Sequence, residues 1–376
     1  MNVFVSVCDY SSELYARKLI NLIKDSIDGK IFVIGGKVLE NLSDEKVIFW
    51  IDSVKYSSVG FFENISTVPL MYLDYIKLRK MIVQSKIDLA ILFDSPALNL
   101  NLIPLLKSRG SKIVYIIPPK SWSLEKTKAH KFVEDNCDLV IVPFKFNLKV
   151  YTSSNVIFLG HPIVDVIPDN IVPSGDKGSL GIFPGSRKFE LTFVSRPVFD
   201  SLELLRKRFK NIFISSTPNT DELIELNKHR LRGLEIEKNY YDLVSKIGFG
   251  LAVSGTVVLK NAIFSVPTIC FYRVYKISQF IFTKIKRIKV QKIALPNILW
   301  DYEFGMGDEK IVPELVQDKF NTEELIKTVD NILMKYDYYL DRIKKFSSIF
   351  HEFYPPSVIN RICHLIKEHF INHKKG

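Results

Sequence analysis

Leu180-Gly181-Ile182-Phe183-Pro184-Gly185-Ser186-Arg187 runs a short apolar strand straight into a turn of small residues, and Phe249-Gly250-Leu251-Ala252-Val253-Ser254-Gly255-Thr256 does the same further on. Near-continuous hydrophobicity is the mark of strands covered on both faces, as in a parallel sheet. Further runs at 212–214 and 268–272, with helical patterns at 198–209 and 240–246 between the strands, read as βα units around such a sheet. The same plan fills the N-terminal half, with candidate strands at 3–7, 31–34, 47–50, 89–93, 113–117, 139–142 and 156–159 and helical patterns at 13–24 and 70–84. Between the two series, residues 166–178 carry Pro168, Asp169, Asn170, Pro173, Ser174, Gly175, Asp176 and Gly178, the turn formers of a linker. The expected fold class is α/β, with two doubly wound domains at 1–167 and 178–344 and helices from about 345 to 376 that could pack back onto the first. Such sheets bind ligands outside the carboxyl ends of their strands, so a cleft between the domains is the expected site.

A chain of 376 residues exceeds what one core usually organises. With 47% hydrophobic and 25% charged residues it is neither disordered nor fibrous in composition. The formal charge of +11 favours an anionic partner: nucleic acid, a phosphorylated ligand or an acidic bilayer face. Nucleic acid is not expected, because the positive charge is spread along the chain without a recognition motif. Cys8, Cys137, Cys270 and Cys363 are scattered and form no C-x-x-C, so neither a disulfide framework nor a metal site is indicated. Met1 leads directly into a strand pattern without a basic signal-peptide region, and no apolar run reaches the roughly 18–20 residues of a spanning helix. The expected location is therefore cytoplasmic, on a membrane or free of one but not through it.

Gly185, Ser186 and Arg187 follow a strand and precede a helix, where backbone N–H groups and the helix N-terminus favour a phosphate and Arg187 can add a bidentate contact. The alternative is an ordinary βα turn with a solvated arginine. Ser254, Gly255 and Thr256 repeat the placement, and two anion sites at strand ends suit a diphosphate; Ser254 as a helix cap is the alternative. Asp94, directly after the 89–93 strand, can act as general base on an acceptor hydroxyl or serve as a turn cap. His161, in Gly160-His161-Pro162, either lines the cleft or packs in its loop.

In this order the motifs resemble lipid-A-disaccharide synthase over nearly the whole chain. The matching stretches are Phe93-Asp94-Ser95-Pro96 with Asn99, Pro119 with Trp122, Cys137-Asp138-Leu139-Val140 leading to Pro143-Phe144, and Gly160-His161-Pro162 with Asp165. They continue through Pro184-Gly185-Ser186-Arg187 with Glu190, Ser254-Gly255-Thr256, Tyr272-Arg273, Leu295-Pro296-Asn297, and Val312-Pro313-Glu314-Leu315 with Gln317. The resemblance implies a GT-B type fold, two Rossmann-like domains facing across a cleft. It implies inverting, metal-independent transfer of an acylated glucosamine from UDP to a lipid-linked monosaccharide phosphate, with release of UDP and no cofactor. On this resemblance Asp94 matches the general base. Gly185, Ser186, Arg187, Ser254, Gly255, Thr256 and Asn297 match the part that holds UDP, with Lys260 at the ribose position. Asp9, Ser11, Ser12, Trp122, His161 and Arg273 fall on the acceptor and cleft side. Independently of the resemblance, the chain contains no Asp-x-Asp, the pair that commonly holds a cation in metal-dependent glycosyltransferases.

The chain also departs from the family pattern. The family's Gly-Glu-x-Ser-Gly-Asp is Cys8-Asp9-Tyr10-Ser11-Ser12-Glu13, its Trp-Ala-Trp-Arg is Trp122-Ser123-Leu124-Glu125, and its second Asp after the proline is Ala97. The acid that follows Ser-Gly-Thr is Lys260, which has donors but no acceptor for a ribose hydroxyl. A divergent paralogue using another nucleotide-sugar or acceptor, and a silent relative that binds nucleotide or lipid, are the alternatives. Residues 276–292 alternate apolar side chains with Lys284, Lys286, Arg287 and Lys289, a pattern that could lie on the anionic inner face of the cytoplasmic membrane or form a solvated helix face. Val59-Gly60-Phe61-Phe62 is a second lipid-facing candidate. The expected partners are a UDP-linked sugar, a lipid-linked acceptor and the membrane surface, and the chain could form a homodimer.

Overall fold

A computed structural model describes residues 1–54, 68–120, 124–168, 171–227, 231, 233–275 and 292–372. Trp122, the Val59–Phe62 run and all of the basic segment except Lys292 lie outside these residues. The chain divides into two compact units. One holds the described residues of Met1–Val59, Asn64–Ile167 and Tyr354–Gly376, the other those of Pro168–Phe353.

The first unit is built on seven parallel strands: β1 (Val3–Ser6), β2 (Ile31–Gly35), β3 (Val47–Asp52), β4 (Leu89–Phe93), β5 (Lys112–Ile116), β6 (Leu139–Val142) and β7 (Val156–Phe158). Their order is β3-β2-β1-β4-β5-β6-β7, so the winding reverses between β1 and β4, where a crevice opens at the carboxyl ends. Strands β1 and β4 are buried throughout. The polar exception, Ser6, is satisfied by donating its hydroxyl to Asn99 Oδ1 at 2.6 Å.

The C-terminal segment is tied to this unit by named contacts. The Asp165 carboxylate accepts the backbone N–H of Ser357 at 2.6 Å and also that of Ile359, capping the helix Val358–Ile366. Arg361 donates to the Leu159 carbonyl at 2.9 Å. Gly160 has φ +99°, and a Cβ there would lie 3.0 Å from Val358 Cγ2, so glycine is what lets this helix approach. The division falls at Tyr354, which leaves the helix Tyr336–Phe353 with the second unit and not with the first.

The second unit has six parallel strands: β8 (Ser179–Phe183), β9 (Asn211–Ser215), β10 (Glu235–Glu237), β11 (Phe249–Val253), β12 (Thr268–Tyr272) and β13 (Glu314–Val316). Their order, β10-β9-β8-β11-β12-β13, repeats the reversal, here between β8 and β11. Leu180, Ile182, Leu251, Val253 and Phe271 pack one face of the sheet against Leu325, Val329 and Ile332 of the helix Thr322–Met334. The two outermost strands, β10 and β13, are short and carry Glu235, Glu237 and Glu314, as edge strands commonly do. Among the described residues no helix is long and apolar enough to cross a membrane.

Candidate functional site

In the first unit the crevice is lined by the residues that follow β1 and β4. Asp94 (φ 39°) and Ser95 (φ 50°) are consecutive non-glycine residues in the left-handed region, a conformation that costs of order 1–3 kcal/mol each. What holds them there is explicit. Asp94 N–H donates to the Ile116 carbonyl at 3.0 Å, while the Asp94 carbonyl accepts from the Tyr115 hydroxyl at 2.7 Å and from Asn99 Nδ2 at 2.8 Å. Asn99 also donates to the Phe93 carbonyl at 3.1 Å, so one buried amide, itself bound by Ser6, splints the strand end. The Asp94 carboxylate remains part-exposed: Oδ1 accepts from Ser95 N–H at 2.9 Å, and Oδ2 pairs with Lys120 Nζ at 2.6 Å.

Asp9 caps the helix Tyr10–Ile23, with Oδ1 accepting from Ser12 N–H at 3.0 Å, while Oδ2 is buried and has no hydrogen-bond partner among the described residues. Burial first, and then the Asp94 carboxylate, raise its pKa above the usual carboxylate value; Ser12 and the Lys120 charge oppose them. Ser12 is buried beneath this cap, and Ser11 is half-buried in the same first turn. Glu13 accepts from Gly36 N–H at 2.6 Å and from Leu39 N–H at 3.2 Å, and burial pushes its pKa up to about 7. Burial likewise pushes the Cys8 thiol up to about 12, against hydrogen bonds to Ser95 and Ser53, so it is a thiol and not a nucleophilic thiolate.

Of the two readings open for His161, the structure takes the packed one. The ring is buried beside Tyr15 and Phe144, with centroid distances of 5.9 and 5.1 Å, and Nδ1 accepts from Ile163 N–H at 3.0 Å. Burial, and then the Lys120 charge, hold its pKa down to about 3, so it is neutral. Lys120 was missed by the motif reading, yet its charge acts on Asp94, Asp9 and His161 together. The signal available was position, a cation shortly after the end of β5.

In the second unit the turn after β8 has a different occupant from the expected one. Ser186 N–H and Arg187 N–H both donate to Glu190 Oε2, at 2.9 and 3.2 Å, and Arg187 pairs with Glu190 Oε1 at 2.8 Å. These N–H groups do form an anion cradle, but the anion in it belongs to the chain. Gly185 has φ +96°, and a Cβ there would stand 2.2 Å from Glu190 Oε2, which explains the glycine. The turn after β11 has no such occupant among the described residues. Ser254 donates its hydroxyl to the Ile293 carbonyl at 2.8 Å, no described residue lies within 4 Å of a Cβ built on Gly255, and Thr256 begins an eight-residue helix, Thr256–Ile263.

Lys260, one turn into that helix, is 8% exposed. Its Nζ stands 4.6 Å from the ring centroid of Tyr240 and 5.4 Å from that of Tyr241. Burial lowers its pKa to about 8.

Two residues expected at ligand contacts have partners within the chain. Asn297 is fully buried. Its Nδ2 donates to the Val312 carbonyl at 2.7 Å and to Glu314 Oε1 at 2.9 Å, and its Oδ1 accepts from Val312 N–H at 2.9 Å. The amide is thus spent at both ends on β13 and the residues before it. Arg273 donates from Nε and Nη2 to the Phe193 carbonyl, at 3.0 and 2.5 Å, and lies over the Phe193 ring, joining the end of β12 to the turn 190–194. Among the described residues no three His, Cys, Asp or Glu side chains cluster as metal ligands would.

Comparison with known proteins bears on what these two crevices serve. The pattern of the lipid-A-disaccharide synthetase family matches residues 3–347. Lipid-A-disaccharide synthase of Wigglesworthia glossinidia brevipalpis is 28% identical over 331 residues, covering 83% of this chain and 82% of that protein. The enzyme of a Sulfurihydrogenibium species is 30% identical over 354 residues, covering 85% of each. Solved structures share the fold at low identity. A Staphylococcus aureus MnaA–UDP structure superposes with a TM-score of 0.61 at 12% identity, covering 97% of this chain and 96% of that one. Arabidopsis thaliana UGT89C1 complexed with UDP gives 0.58 at 11%, covering 97% and 99%. The architecture is that of the GT-B glycosyltransferases and epimerases.

Proposed function

Because the chain belongs to the lipid-A-disaccharide synthetase family, a family of UDP-sugar-dependent glycosyltransferases, we propose that it transfers an acylated glucosamine from UDP to a lipid-linked monosaccharide phosphate. Asp94 is the general base. Its part-exposed carboxylate takes the proton of the acceptor hydroxyl as that oxygen attacks the anomeric carbon of the donor. The bond from that carbon to the diphosphate breaks with its electron pair on the leaving oxygen, UDP departs, and the configuration inverts. The charge of the leaving diphosphate is met by cationic side chains and helix dipoles of the second unit, with no metal required. The observation that supports this reading best is the backbone at Asp94 and Ser95, held left-handed by Asn99 and Tyr115 at the switch point of the first sheet. Strain of this kind gathers where a side chain must be aimed.

One observation favours a second reading within the same chemistry. The departures from the family pattern at Ser12, Glu125 and Lys260 together favour a donor or acceptor distinct from that of the relatives. A scan of UDP-sugars against purified protein, with and without a lipid-linked glucosamine phosphate, separates the cases. UDP release that requires both the acylated glucosamine donor and the acceptor supports the first reading. Release with another sugar supports the second, and no acceptor-dependent release with any donor refutes both. Work at the cytoplasmic face of the membrane, through residues 276–292, belongs to the same proposal. Binding to anionic vesicles that weakens with salt is its test.

A further inference from the structure

We infer that Lys260 is the counter-ion for the diphosphate of the donor, the part the Pro184–Arg187 turn was expected to play; this rests on the glycosyltransferase reading above. Thr256–Ile263 starts directly behind β11, beside the switch point of the second sheet. Helical side chains lean toward the N-terminus of their helix, which favours the side of Lys260 nearer the first turn, and the Tyr240 and Tyr241 rings beside it also pack on Phe264, with centroids at 6.2 and 6.1 Å. Tyr240 and Tyr241 open the helix Tyr240–Lys246 after β10 and so begin at the carboxyl end of the sheet. Their rings hold the ammonium at 4.6 and 5.4 Å. An aromatic face attracts a cation but does not replace the acceptors that its three N–H groups would find in water.

Among the described residues no hydrogen bond or ion pair reaches Lys260 Nζ, although the residue is more than nine-tenths buried. A cation largely withdrawn from water and faced only by aromatic rings is costly, and such departures from good packing gather where a ligand supplies what is missing. Three further facts bear on the sign and place of that ligand. The helix N-terminus at Thr256 attracts anions. Among the described residues nothing lies within 4 Å of a Cβ built on Gly255, just ahead of it. The competing cradle at Ser186 and Arg187 already holds the Glu190 carboxylate. An ammonium can meet phosphate oxygens but cannot accept a hydrogen bond from a ribose hydroxyl, so the diphosphate and not the sugar is its ligand.

Calorimetric titration of the full chain and of its Lys260→Met, Lys260→Gln and Lys260→Arg variants with UDP, inorganic pyrophosphate and uridine tests this. Lys260→Met and Lys260→Gln should each lose about tenfold or more in affinity for UDP and for pyrophosphate, with uridine unaffected, while Lys260→Arg retains most of both. Thermal unfolding of each variant shows that it is folded, and the two neutral variants check one another. UDP and pyrophosphate affinities that survive both neutral substitutions overturn the inference, and so does an unmodified protein that binds neither. Binding of pyrophosphate that depends on Lys260, in a protein that does not bind UDP, upholds the anion site and refutes the nucleotide reading instead.

Discussion

Replacing Lys260 with Met should stabilise the ligand-free protein at neutral pH and cease to do so in alkali. Burial lowers the Lys260 pKa from the ordinary 10.5 to about 8. At about 1.4 kcal/mol per pH unit, that gap puts the cost of keeping the buried ammonium charged at about 3 kcal/mol. The rings of Tyr240 and Tyr241 return about 1–2 kcal/mol of it, since a cation over an aromatic face is worth roughly 0.5–2 kcal/mol. Methionine keeps the unbranched stem and removes the charge, so the net gain is about 1–2 kcal/mol, and each kcal/mol moves the midpoint by about 2–4 °C for a unit of this size. The folded pKa lies below the unfolded one, so the penalty is absent above pH 10.5, accrues as pH falls from there, and is complete below about pH 8. Thermal melts of both proteins at pH 7 and at high pH, without ligand, measure it. A variant less stable than the parent at pH 7, or an advantage of equal size in alkali, would show that the ammonium is not the uncompensated charge described.

Three further outcomes are expected. Asp94→Asn should cut turnover by about a hundredfold or more with UDP affinity nearly unchanged, and near-normal turnover would remove Asp94 from the mechanism. Gly185→Ala should cost about 1–3 kcal/mol in urea unfolding, because the new Cβ falls 2.2 Å from Glu190 Oε2 at φ +96°; an unchanged midpoint would contradict the geometry of that turn. UDP affinity should fall as pH rises through about 8, where Lys260 loses its proton, and should stay flat over that range in Lys260→Arg; a flat profile in both would deny the ammonium a part in binding.

The winding was legible because buried parallel strands are written as unbroken apolar runs. Leu89–Phe93 and Phe249–Val253 are examples, and every strand so read is present. Strands β10 and β13 escaped, being three residues each and acidic. Site positions at strand ends were legible for the same reason, and Asp94 stands where its strand predicts. What the sequence could not show is which polar groups the chain spends on itself. Asn297 and Arg273 read as ligand contacts by order along the chain and His161 as either a cleft or a packed residue, but their partners within the chain are Val312, Glu314, Phe193 and Ile163, fixed only by tertiary packing. Glu190 four residues past Ser186 is likewise just an acid in a helix until the turn folds over it. Lys120 carried no motif, and its importance comes from reaching Asp94 across 26 residues of chain.

Central to the account is transfer of a sugar from UDP onto a lipid-linked acceptor with inversion, and the most direct test is to follow donor, UDP and product together by NMR. With the acylated glucosamine donor in its α configuration and a glucosamine phosphate lipid as acceptor, the account predicts equimolar UDP and a β-linked disaccharide, both formed more slowly by about a hundredfold or more in Asp94→Asn. An α-linked product, or UDP appearing alongside free sugar with no disaccharide, would contradict it.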